Sequence, residues 1–351
     1  MSPWRTFGLC LLLSACVPID EDTASLLDAC AKEPATPLKF GDAGFKLPAV
    51  VEPNLILESL DQVDQSRLDA DVNLISTQYA NRYYNSTIGR DAAFWLKNIW
   101  DNLTSQQAYA AATTFTHSNF LQPSVIATLT GASKPDEIII IGGHFDSICH
   151  GINCLNSGVM QAPGANDNAS GIAVMNEVLR IWLSELNQPE RTIQFMAYAG
   201  EEAGLLGSKD IATSYRLQNH NVVAVLQLDM TSGGQIDNEI YFVNDHVDQQ
   251  LTNYVTGLVD HYQDVLDITY DYVTCHYACS DHASWTQQNY ASVFPIDHHI
   301  TDDPFNEIHT RQDTVSNLSS TTKMSKFAKL GLIFTQELSQ AKLDDDTECQ
   351  P

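Results

Sequence analysis

The sequence predicts an α/β fold of three layers, in which helices flank a mixed, largely parallel central sheet. From residue 125 onward, short strand patterns alternate with helical patterns, which is typical of a parallel sheet covered by helices. Residues 138–141 are apolar without a break, as expected for a strand buried on both faces. The chain has 351 residues and 44% hydrophobic side chains, which is enough to bury a large core.

The individual elements follow from the spacing of apolar residues. Before the sheet begins, apolar positions at helical spacing predict helices within 61–84 and over 91–103. The predicted strands are then 125–129, 138–141, 192–199, 222–228, 240–243 and 293–296, and the predicted helices are 169–186, 205–217, 251–262, 281–288 and 321–338. No repeat or linker interrupts residues 61–341, so we expect them to form one domain.

The first fifteen residues have the features of a signal peptide. Arg5 precedes an apolar run at 7–13, which is far too short to span a bilayer but matches the hydrophobic part of an export signal. The run ends in LSAC at 13–16, which resembles the lipobox of bacterial lipoproteins, where the cysteine, here Cys16, carries a lipid. Val17 after that cysteine favours the outer membrane. Cleavage without lipid attachment would instead leave a periplasmic or extracellular protein.

The chain is strongly acidic, with 44 Asp and Glu against 18 Lys and Arg and a formal net charge of -26. This charge repels nucleic acids and anionic membrane surfaces. We therefore expect no nucleic-acid partner, and membrane contact only through a lipid on Cys16. Residues 16–60 are acidic with scattered Pro and Gly, and we interpret them as a tether or N-terminal extension. Residues 342–351 form an acidic C-terminal tail.

Six cysteines follow Cys16, and an even number in an exported chain favours disulfide bonds. Many pairings are possible, but proximity along the chain favours two short-range pairs, and the remaining two cysteines would then join the chain ends. The pairs are Cys149–Cys154, Cys275–Cys279 and Cys30–Cys349. A zinc-thiolate site is a weaker alternative, because the chain lacks the paired C-x-x-C motifs of such sites.

Candidate metal ligands follow three predicted strands, and ligands bind beyond the carboxyl ends of strands in open α/β sheets. One more candidate lies at the start of a predicted helix, and another lies late in the chain. The five are His144, Asp167, Glu202, Asp229 and His309. A mixture of imidazole and carboxylate suits zinc. Five ligands are too many for one tetrahedral ion, but they fit two ions that share a bridging carboxylate.

Two further carboxylates lie beside these ligands. Glu201 adjoins Glu202, and neighbouring side chains in an extended segment diverge, so we expect one to hold metal while the other faces the attacking water. Asp146 follows His144 by two residues and is placed to accept the second N–H of that imidazole. Each residue taken singly has an ordinary explanation, such as Asp167 as a helix cap. Their joint position at strand ends favours a site.

Five segments together resemble the motifs of the M28 metallopeptidase family. They are GGHFDS at 142–147, GANDNASG at 164–171, AGEEAGLLGS at 199–208, LDM at 228–230 and IHT at 308–310. A sixth segment, CHYACSDH at 275–282, is similar to the Cys-x-Tyr-x-Cys-Ser-Asp-His segment of the secreted bacterial leucine aminopeptidase type. The resemblance covers roughly residues 61–341 in order, and it implies the zinc-dependent peptidase domain that we assign to that range.

The resemblance also implies a role for each ligand in a centre of two Zn²⁺ ions per chain. By position, His144 and Glu202 would bind one zinc, and Asp229 and His309 would bind the other. Asp167 would bridge the two ions.

The same resemblance makes Glu201 the general base, places Tyr277 where it contacts the substrate carbonyl, and makes Cys275–Cys279 a disulfide beside the specificity pocket. The implied enzyme is an aminopeptidase, which removes the N-terminal residue of a peptide by attack of water that two zinc ions activate. We expect an apolar N-terminal residue, a substrate with a free N-terminus and a monomeric enzyme. Candidate pocket walls are Met230, Tyr277, Phe294, Phe305 and Ile308, each equally explained as ordinary core.

Three alternatives remain open at the level of sequence. Other amide hydrolases with the same metal cage often bind a substrate carboxylate through Arg, and this chain is poor in Lys and Arg. A glutaminyl cyclase on a related scaffold typically uses a single zinc, whereas the full motif at 199–208 favours an aminopeptidase. A non-catalytic binding module on the same scaffold would be expected to lack ligands, and all five are present.

Overall fold

The structure, a computed structural model, describes residues 53–340 with the exception of 151–153, 155, 235, 238 and 301–306. The strands are β1 (Ala110–Phe115), β2 (Ser124–Leu129), β3 (Lys134–His144), β4 (Arg191–Tyr198), β5 (Asn221–Gln227), β6 (Glu239–Val243), β7 (Thr269–Val273), β8 (Ser292–Val293) and β9 (Pro295–Ile296). The α-helices are α1 (Pro53–Leu60), α2 (Gln65–Gln78), α3 (Thr87–Thr104), α4 (Gly171–Ser184), α5 (Leu206–Leu217), α6 (Gln249–His261), α7 (Gln263–Leu266), α8 (His282–Gln287) and α9 (Thr322–Gln340).

Several predictions lie outside the described residues. They are the signal peptide, the lipidation site Cys16, the Cys30–Cys349 pair, the pocket candidate Phe305 and the tail at 342–351. Among the described residues, no helix combines the length and the apolar character needed to cross a membrane.

The middle layer is a six-stranded sheet in the order β1-β2-β4-β3-β5-β8. The four strands from β4 to β8 are parallel neighbours, whereas β1 and β2 run antiparallel at one edge. The predicted mixed, largely parallel sheet is therefore confirmed. Parallel strands bring their carboxyl ends to one edge of the sheet, and this edge carries the candidate ligands.

The unbroken apolar run of β3 is explained by burial on both faces. Ile139 and Ile141 pack into one apolar cluster with residues of α2, α3, α4 and α9. Ile138 and Ile140 point the other way and pack with residues of α5 and α8. Because successive side chains of a strand alternate between faces, this division shows helices on both sides of the sheet and confirms the three layers.

The predicted strand at 293–296 is two strands in two sheets. β8 pairs in parallel with β5 in the main sheet, and β9 pairs antiparallel with β6 in a small sheet of order β7-β6-β9. Pro295 has no N–H to donate, which suits the edge position of β9. An apolar run records burial but not the choice of partner, so the sequence pattern could not reveal the change of sheet.

Strands β1 and β7 were not predicted. Both are partly exposed and lie at sheet edges, and their sequences AAATTF and TYDYV lack a continuous apolar run. The predicted start of the domain at residue 61 is also too late. Helix α1 lies inside the segment interpreted as a tether, yet Ile56 and Leu60 belong to the main apolar cluster. The acidic composition of 16–60 concealed this short apolar helix.

Candidate metal centre

Three strands of the main sheet deliver side chains to one place. His144 is the last residue of β3 and lies opposite Tyr198, the last residue of β4. The chain after β4 turns at once into a short 3-10 helix, Glu201–Ala203. The chain after β5 reaches Asp229 two residues beyond the end of that strand. Residues from three neighbouring strands therefore converge at the carboxyl edge of the sheet.

Two more segments complete the centre. A π-helical turn, Ala165–Ser170, precedes α4 and carries Asp167. His309 lies in the chain before α9 and adopts a left-handed backbone conformation, with φ of 56°. The structure thus brings all five predicted ligands together.

The Asp167 carboxylate lies between the two imidazoles. Its Oδ1 is 2.9 Å from His144 Nε2, and its Oδ2 is 3.0 Å from His309 Nε2. His309 Nε2 is also 2.9 Å from Glu202 Oε2, and His144 Nε2 is 3.3 Å from Asp229 Oδ1. The central position of Asp167 is that expected of a bridging ligand.

The shortest contacts among these residues differ from the pairing inferred from the sequence. His144 was paired with Glu202 and His309 with Asp229, but the structure groups His144 with Asp229 and His309 with Glu202. The reason is the fold of the loop before α9, which brings His309 to the side of the centre formed by the chain after β4. Chain order does not contain that information.

The residues fit a metal site. Among the described residues, the buried oxygens Glu202 Oε1 and Asp229 Oδ1 lack a hydrogen-bond partner, although the His144 ring approaches the latter. Buried polar atoms are nearly always paired, so an unpaired oxygen of Glu202 and a weakly paired oxygen of Asp229 at one place fit a cation-binding site. Ligand atoms of His144, Asp167 and Glu202 all lie within 4.8 Å of one another. Imidazole and carboxylate are ordinary zinc ligands.

The titration of these groups gives the same indication. Burial and the nearby Asp167 carboxylate raise the pKa of Glu202 to about 8. Burial opposes protonation of His309, but hydrogen bonds to Asp167 and Glu202 outweigh it and raise its pKa to about 12. In the absence of an ion, protons therefore supply the positive charge that the carboxylates require. A bound cation would replace those protons.

The metal-free protein is therefore expected to lose stability as the pH rises from about 5.5 to about 8.5. Burial holds the folded pKa of Glu202 at about 8 and that of Asp313 at about 7, both above their ordinary values. The folded state then binds more protons than the unfolded state in this interval, and stability falls as they are released. The raised pKa of His309 acts in the same direction, since the folded state keeps this proton while the unfolded chain releases it above about pH 6.5.

The measurement is the melting temperature by circular dichroism across this pH range, in the presence of a chelator. The zinc-loaded protein is the control, and it should show a smaller decline because bound ions supply the charge. A metal-free melting temperature that rises over the same range would contradict the account.

Glu201 directly precedes the candidate ligand Glu202 in the chain. The two glutamates share the 3-10 turn. A glycine with a left-handed backbone conformation lies at each end of this turn, Gly200 with φ of 68° and Gly204 with φ of 100°. Burial raises the pKa of Glu201 well above its ordinary value. A carboxylate with a raised pKa suits a group that accepts and returns a proton near neutral pH.

Asp146 contacts the centre differently from the prediction. The His144 Nδ1 atom is 3.1 Å from the backbone oxygen of Asp146 and 3.5 Å from its carboxylate Oδ1. The backbone oxygen is therefore the hydrogen-bond acceptor for the imidazole. The Asp146 carboxylate instead accepts the backbone N–H groups of Glu201 at 3.0 Å and Glu202 at 3.3 Å. Asp146 thus orients the glutamate pair, as well as the imidazole that precedes it in the chain.

Comparison with known proteins decides the family. Residues 124–332 match the sequence profile of peptidase family M28, and this span is more than half of the chain. The chain belongs to peptidase family M28. The family predicted from the motifs is confirmed.

Individual relatives agree with this assignment. The chain is 34% identical over 280 residues to a probable aminopeptidase of Saccharomyces cerevisiae, with 78% of this chain and 72% of the relative covered. It is 35% identical over 280 residues to leucine aminopeptidase 1 of Ajellomyces capsulatus, with 76% and 69% covered. The crystal structure of LapB from Legionella pneumophila matches with a TM-score of 0.74 and 31% identity, over 91% of this chain and 81% of that chain. These findings support a metallo-aminopeptidase hydrolase.

Two polar residues of the M28 centre were not identified as site residues in the sequence. Asn168 joins three segments, because its Nδ2 donates to Leu228 O at 2.9 Å and its Oδ1 accepts from the backbone N–H groups of Gly171 and Met230. The Ser280 hydroxyl donates to Asp229 Oδ2 at 2.6 Å. Both residues lie inside the quoted motifs, so their presence there was the available signal.

Both short-range disulfides predicted from the sequence are present. Cys149–Cys154 and Cys275–Cys279 are each joined. The second closes a loop that Asp245 holds, since its carboxylate accepts the backbone N–H groups of Cys275 at 2.9 Å and His276 at 2.7 Å. This loop carries Tyr277, whose side chain is 60% exposed.

The predicted pocket residues divide into two groups. Met230 and Phe294 belong to one apolar cluster with Cys275, and Ile308 packs against it. Tyr277 stands apart on its exposed loop. Burial raises the pKa of Tyr277, and the Glu201 carboxylate adds to the effect. The cluster includes the neighbours in sequence of two ligands, since Met230 follows Asp229 and Ile308 precedes His309.

A Ser–His–Asp arrangement elsewhere in the M28 fold is structural. His117 Nε2 lies 2.9 Å from Ser124 Oγ, and its Nδ1 lies 2.8 Å from Asp210 Oδ2. These distances resemble those of a nucleophilic triad. Ser124 is fully buried, however, and its hydroxyl accepts the backbone N–H of Ala199 at 3.0 Å. A substrate cannot reach this serine, so the trio joins β2 to α5.

Proposed function

We propose that this chain is an exported aminopeptidase that removes apolar N-terminal residues from peptides with a centre of two zinc ions. The observation that carries the proposal is the Asp167 carboxylate, which presents one oxygen to each of two imidazoles. Each imidazole has a second carboxylate beside it. Two sets of ligands that share one carboxylate match a two-ion centre.

In this proposal, His144 and Asp229 hold one ion and His309 and Glu202 hold the other, with Asp167 shared. The two ions, when bound, supply positive charge that lowers the pKa of water and polarises the peptide carbonyl. Glu201 accepts the proton of the attacking water and returns it to the leaving amine. Its raised pKa supports this role, because a more basic carboxylate takes the proton of the attacking water more readily.

Specificity for the N-terminus and for an apolar side chain rests on two further features. The carboxylates around the centre, together with the net charge of -26, attract the cationic amine of a free peptide N-terminus. The apolar cluster that contains Met230 and Phe294 offers a wall for the first side chain. We assign to Tyr277 a contact with the substrate carbonyl, as the resemblance of its loop to the Cys-x-Tyr-x-Cys-Ser-Asp-His segment implies.

The activity is tested with aminoacyl p-nitroanilides that differ in the first residue, with and without a chelator. We expect chelator-sensitive release that is fastest for apolar residues, together with no cleavage of an N-acetylated peptide. Peptides that begin with glutamine separate the alternatives. A cyclase releases ammonia from them without shortening the chain, a carboxypeptidase shortens the other end, and a binding module leaves all substrates intact.

The pairing of ligands has a stoichiometric test. Because His144 and Asp229 serve one ion in this proposal, the double variant His144→Ala/Asp229→Ala should keep about one zinc per chain, and each single variant should do the same. The double variant His144→Ala/Glu202→Ala removes ligands from both sites and should keep almost none. Zinc per chain is measured by mass spectrometry of the metal after dialysis at limiting free zinc. The reverse result would restore the pairing inferred from the sequence.

Export and monomeric state are also part of the proposal. The apolar run at 7–13 and the cysteine at the end of LSAC support export with a lipid on Cys16. The mass of the mature N-terminus tests this, and an unmodified N-terminus beyond Cys16 would contradict the lipid anchor. Size-exclusion chromatography with light scattering tests the monomeric state.

A further inference from the structure

Arg82 is a fully buried arginine behind the candidate centre. Its guanidinium donates from Nε to Phe145 O at 2.8 Å, from Nη1 to Pro163 O at 2.6 Å and from Nη2 to Gly164 O at 3.0 Å. Phe145 directly follows the ligand His144, and Gly164 begins the turn that carries Asp167. Because the guanidinium is planar and its donors are fixed in direction, Arg82 joins the backbones of these two ligand-bearing segments.

Asp313 makes a second connection to the same turn, through the backbone N–H groups of the turn. Its Oδ1 accepts the N–H of Asn166 at 2.8 Å, and its Oδ2 accepts the N–H of Asp167 at 3.0 Å. Its backbone oxygen accepts the N–H of Ala165 at 3.1 Å. Asp313 thus accepts hydrogen bonds from three consecutive backbone N–H groups. Asp313 lies four positions after His309, so it joins the segment of that ligand to the turn of Asp167.

The start of the turn packs closely against its surroundings, including Arg82. Gly164 has φ of +53°, and a Cβ atom there would lie 2.4 Å from Asp167 O and 2.8 Å from Arg82 Nη2. Arg82 donates to the carbonyl groups of the two residues just before the turn, and Asp313 accepts the N–H groups of the first three residues of the turn. These backbone contacts therefore help to set the position of the Asp167 carboxylate relative to both imidazoles.

We propose that Arg82 and Asp313 are positioning residues that set the zinc affinity of both ion sites. Neither side chain is among the five ligands. Arg82 fixes Asp167 relative to His144, and Asp313 fixes Asp167 relative to His309. The inference rests on the proposed two-zinc function, and it goes beyond it by assigning the geometry of the shared ligand to two residues that surround the turn.

The test compares Asp313→Ala and Arg82→Lys with two matched controls. Glu337→Gln alters another buried carboxylate, which lies in α9 and accepts a hydrogen bond from the Tyr262 hydroxyl. Arg191→Lys alters a second arginine that is fully buried, at the amino end of β4, opposite the edge that carries the centre. The controls disturb buried polar contacts to a similar degree but leave the turn intact.

The readouts are zinc dissociation constants from competition with a chromogenic chelator, and the visible absorption spectrum of the Co²⁺-substituted protein. We expect Asp313→Ala and Arg82→Lys to weaken zinc binding by about 10–100-fold, the usual effect of losing a group that orients ligands, and to alter the cobalt spectrum. Both controls should bind zinc as the wild type does, even if their melting temperatures fall.

A conservative variant keeps the proposal testable if Asp313→Ala does not fold. Asp313→Asn retains one acceptor oxygen but turns an NH₂ group toward the second backbone N–H, so its zinc affinity should lie between wild type and alanine. Wild-type zinc affinity and cobalt spectrum in the Asp313 and Arg82 variants would overturn the inference. Failure of the wild-type protein to bind two zinc ions would instead overturn the proposed function.

Discussion

Replacement of Glu201 by Gln is expected to lower kcat by about 10²–10⁴-fold, the usual contribution of a positioned general base. Gln has the same shape as Glu but cannot accept the proton of the attacking water. Zinc content should remain that of the wild type, because the five ligands are other residues and Glu201 lies beside them in the 3-10 turn. Steady-state kinetics on an aminoacyl p-nitroanilide and metal analysis of the same sample provide the measurement.

The matched control is Glu185→Gln, which makes the same change at an exposed position just beyond α4. It should leave kcat and zinc content unchanged. A purified Glu201→Gln variant that turned over at nearly the wild-type rate would show that another group takes the proton.

Replacement of Asp167 by Ala is expected to reduce zinc binding at both sites and to abolish most activity. The Asp167 carboxylate contributes one oxygen near each imidazole, so its loss removes a ligand from each site at once. The loss of affinity should exceed the roughly 100-fold that groups orienting a ligand can cost. The measurement is zinc per chain after dialysis, together with chelator competition.

Asp136→Ala, at an exposed position in β3, is the control and should keep wild-type zinc content. If Asp167→Ala retained two zinc ions at full occupancy, the carboxylate would not bridge the sites. If it lost only one, the shared role would be wrong, although Asp167 would remain a ligand of the other ion.

These predictions differ in how far the sequence alone supports them. The sequence alone proposed Glu201 and the five ligands. Three of the ligands follow parallel strands, whose carboxyl ends meet at one edge of the sheet, and the role of Glu201 came from the resemblance to the family motifs. The supporting residues were less visible. Arg82 and Asp313 act through hydrogen bonds to backbone atoms, and such contacts leave no pattern of side-chain type along the chain.

The fold shows the same division. The unbroken apolar run of β3 predicted a strand buried on both faces, and the structure agrees. The split of 293–296 into β8 and β9 was not visible, because apolar character reports burial and not the choice of hydrogen-bonding partner. The exposed edge strands β1 and β7 were missed because burial, which creates the pattern, is incomplete there.

The sequence by itself determined the layered α/β fold, the family and the set of residues at the metal centre, since these depend on residue type and on order along the chain. Only the tertiary structure decided which of those residues are neighbours. The sheet order β4-β3-β5 places the strand of His144 between those that lead to Glu202 and Asp229, and the loop before α9 brings His309 to Glu202. Contacts between residues far apart in the chain arise from packing in three dimensions, and the order of residues does not encode them locally.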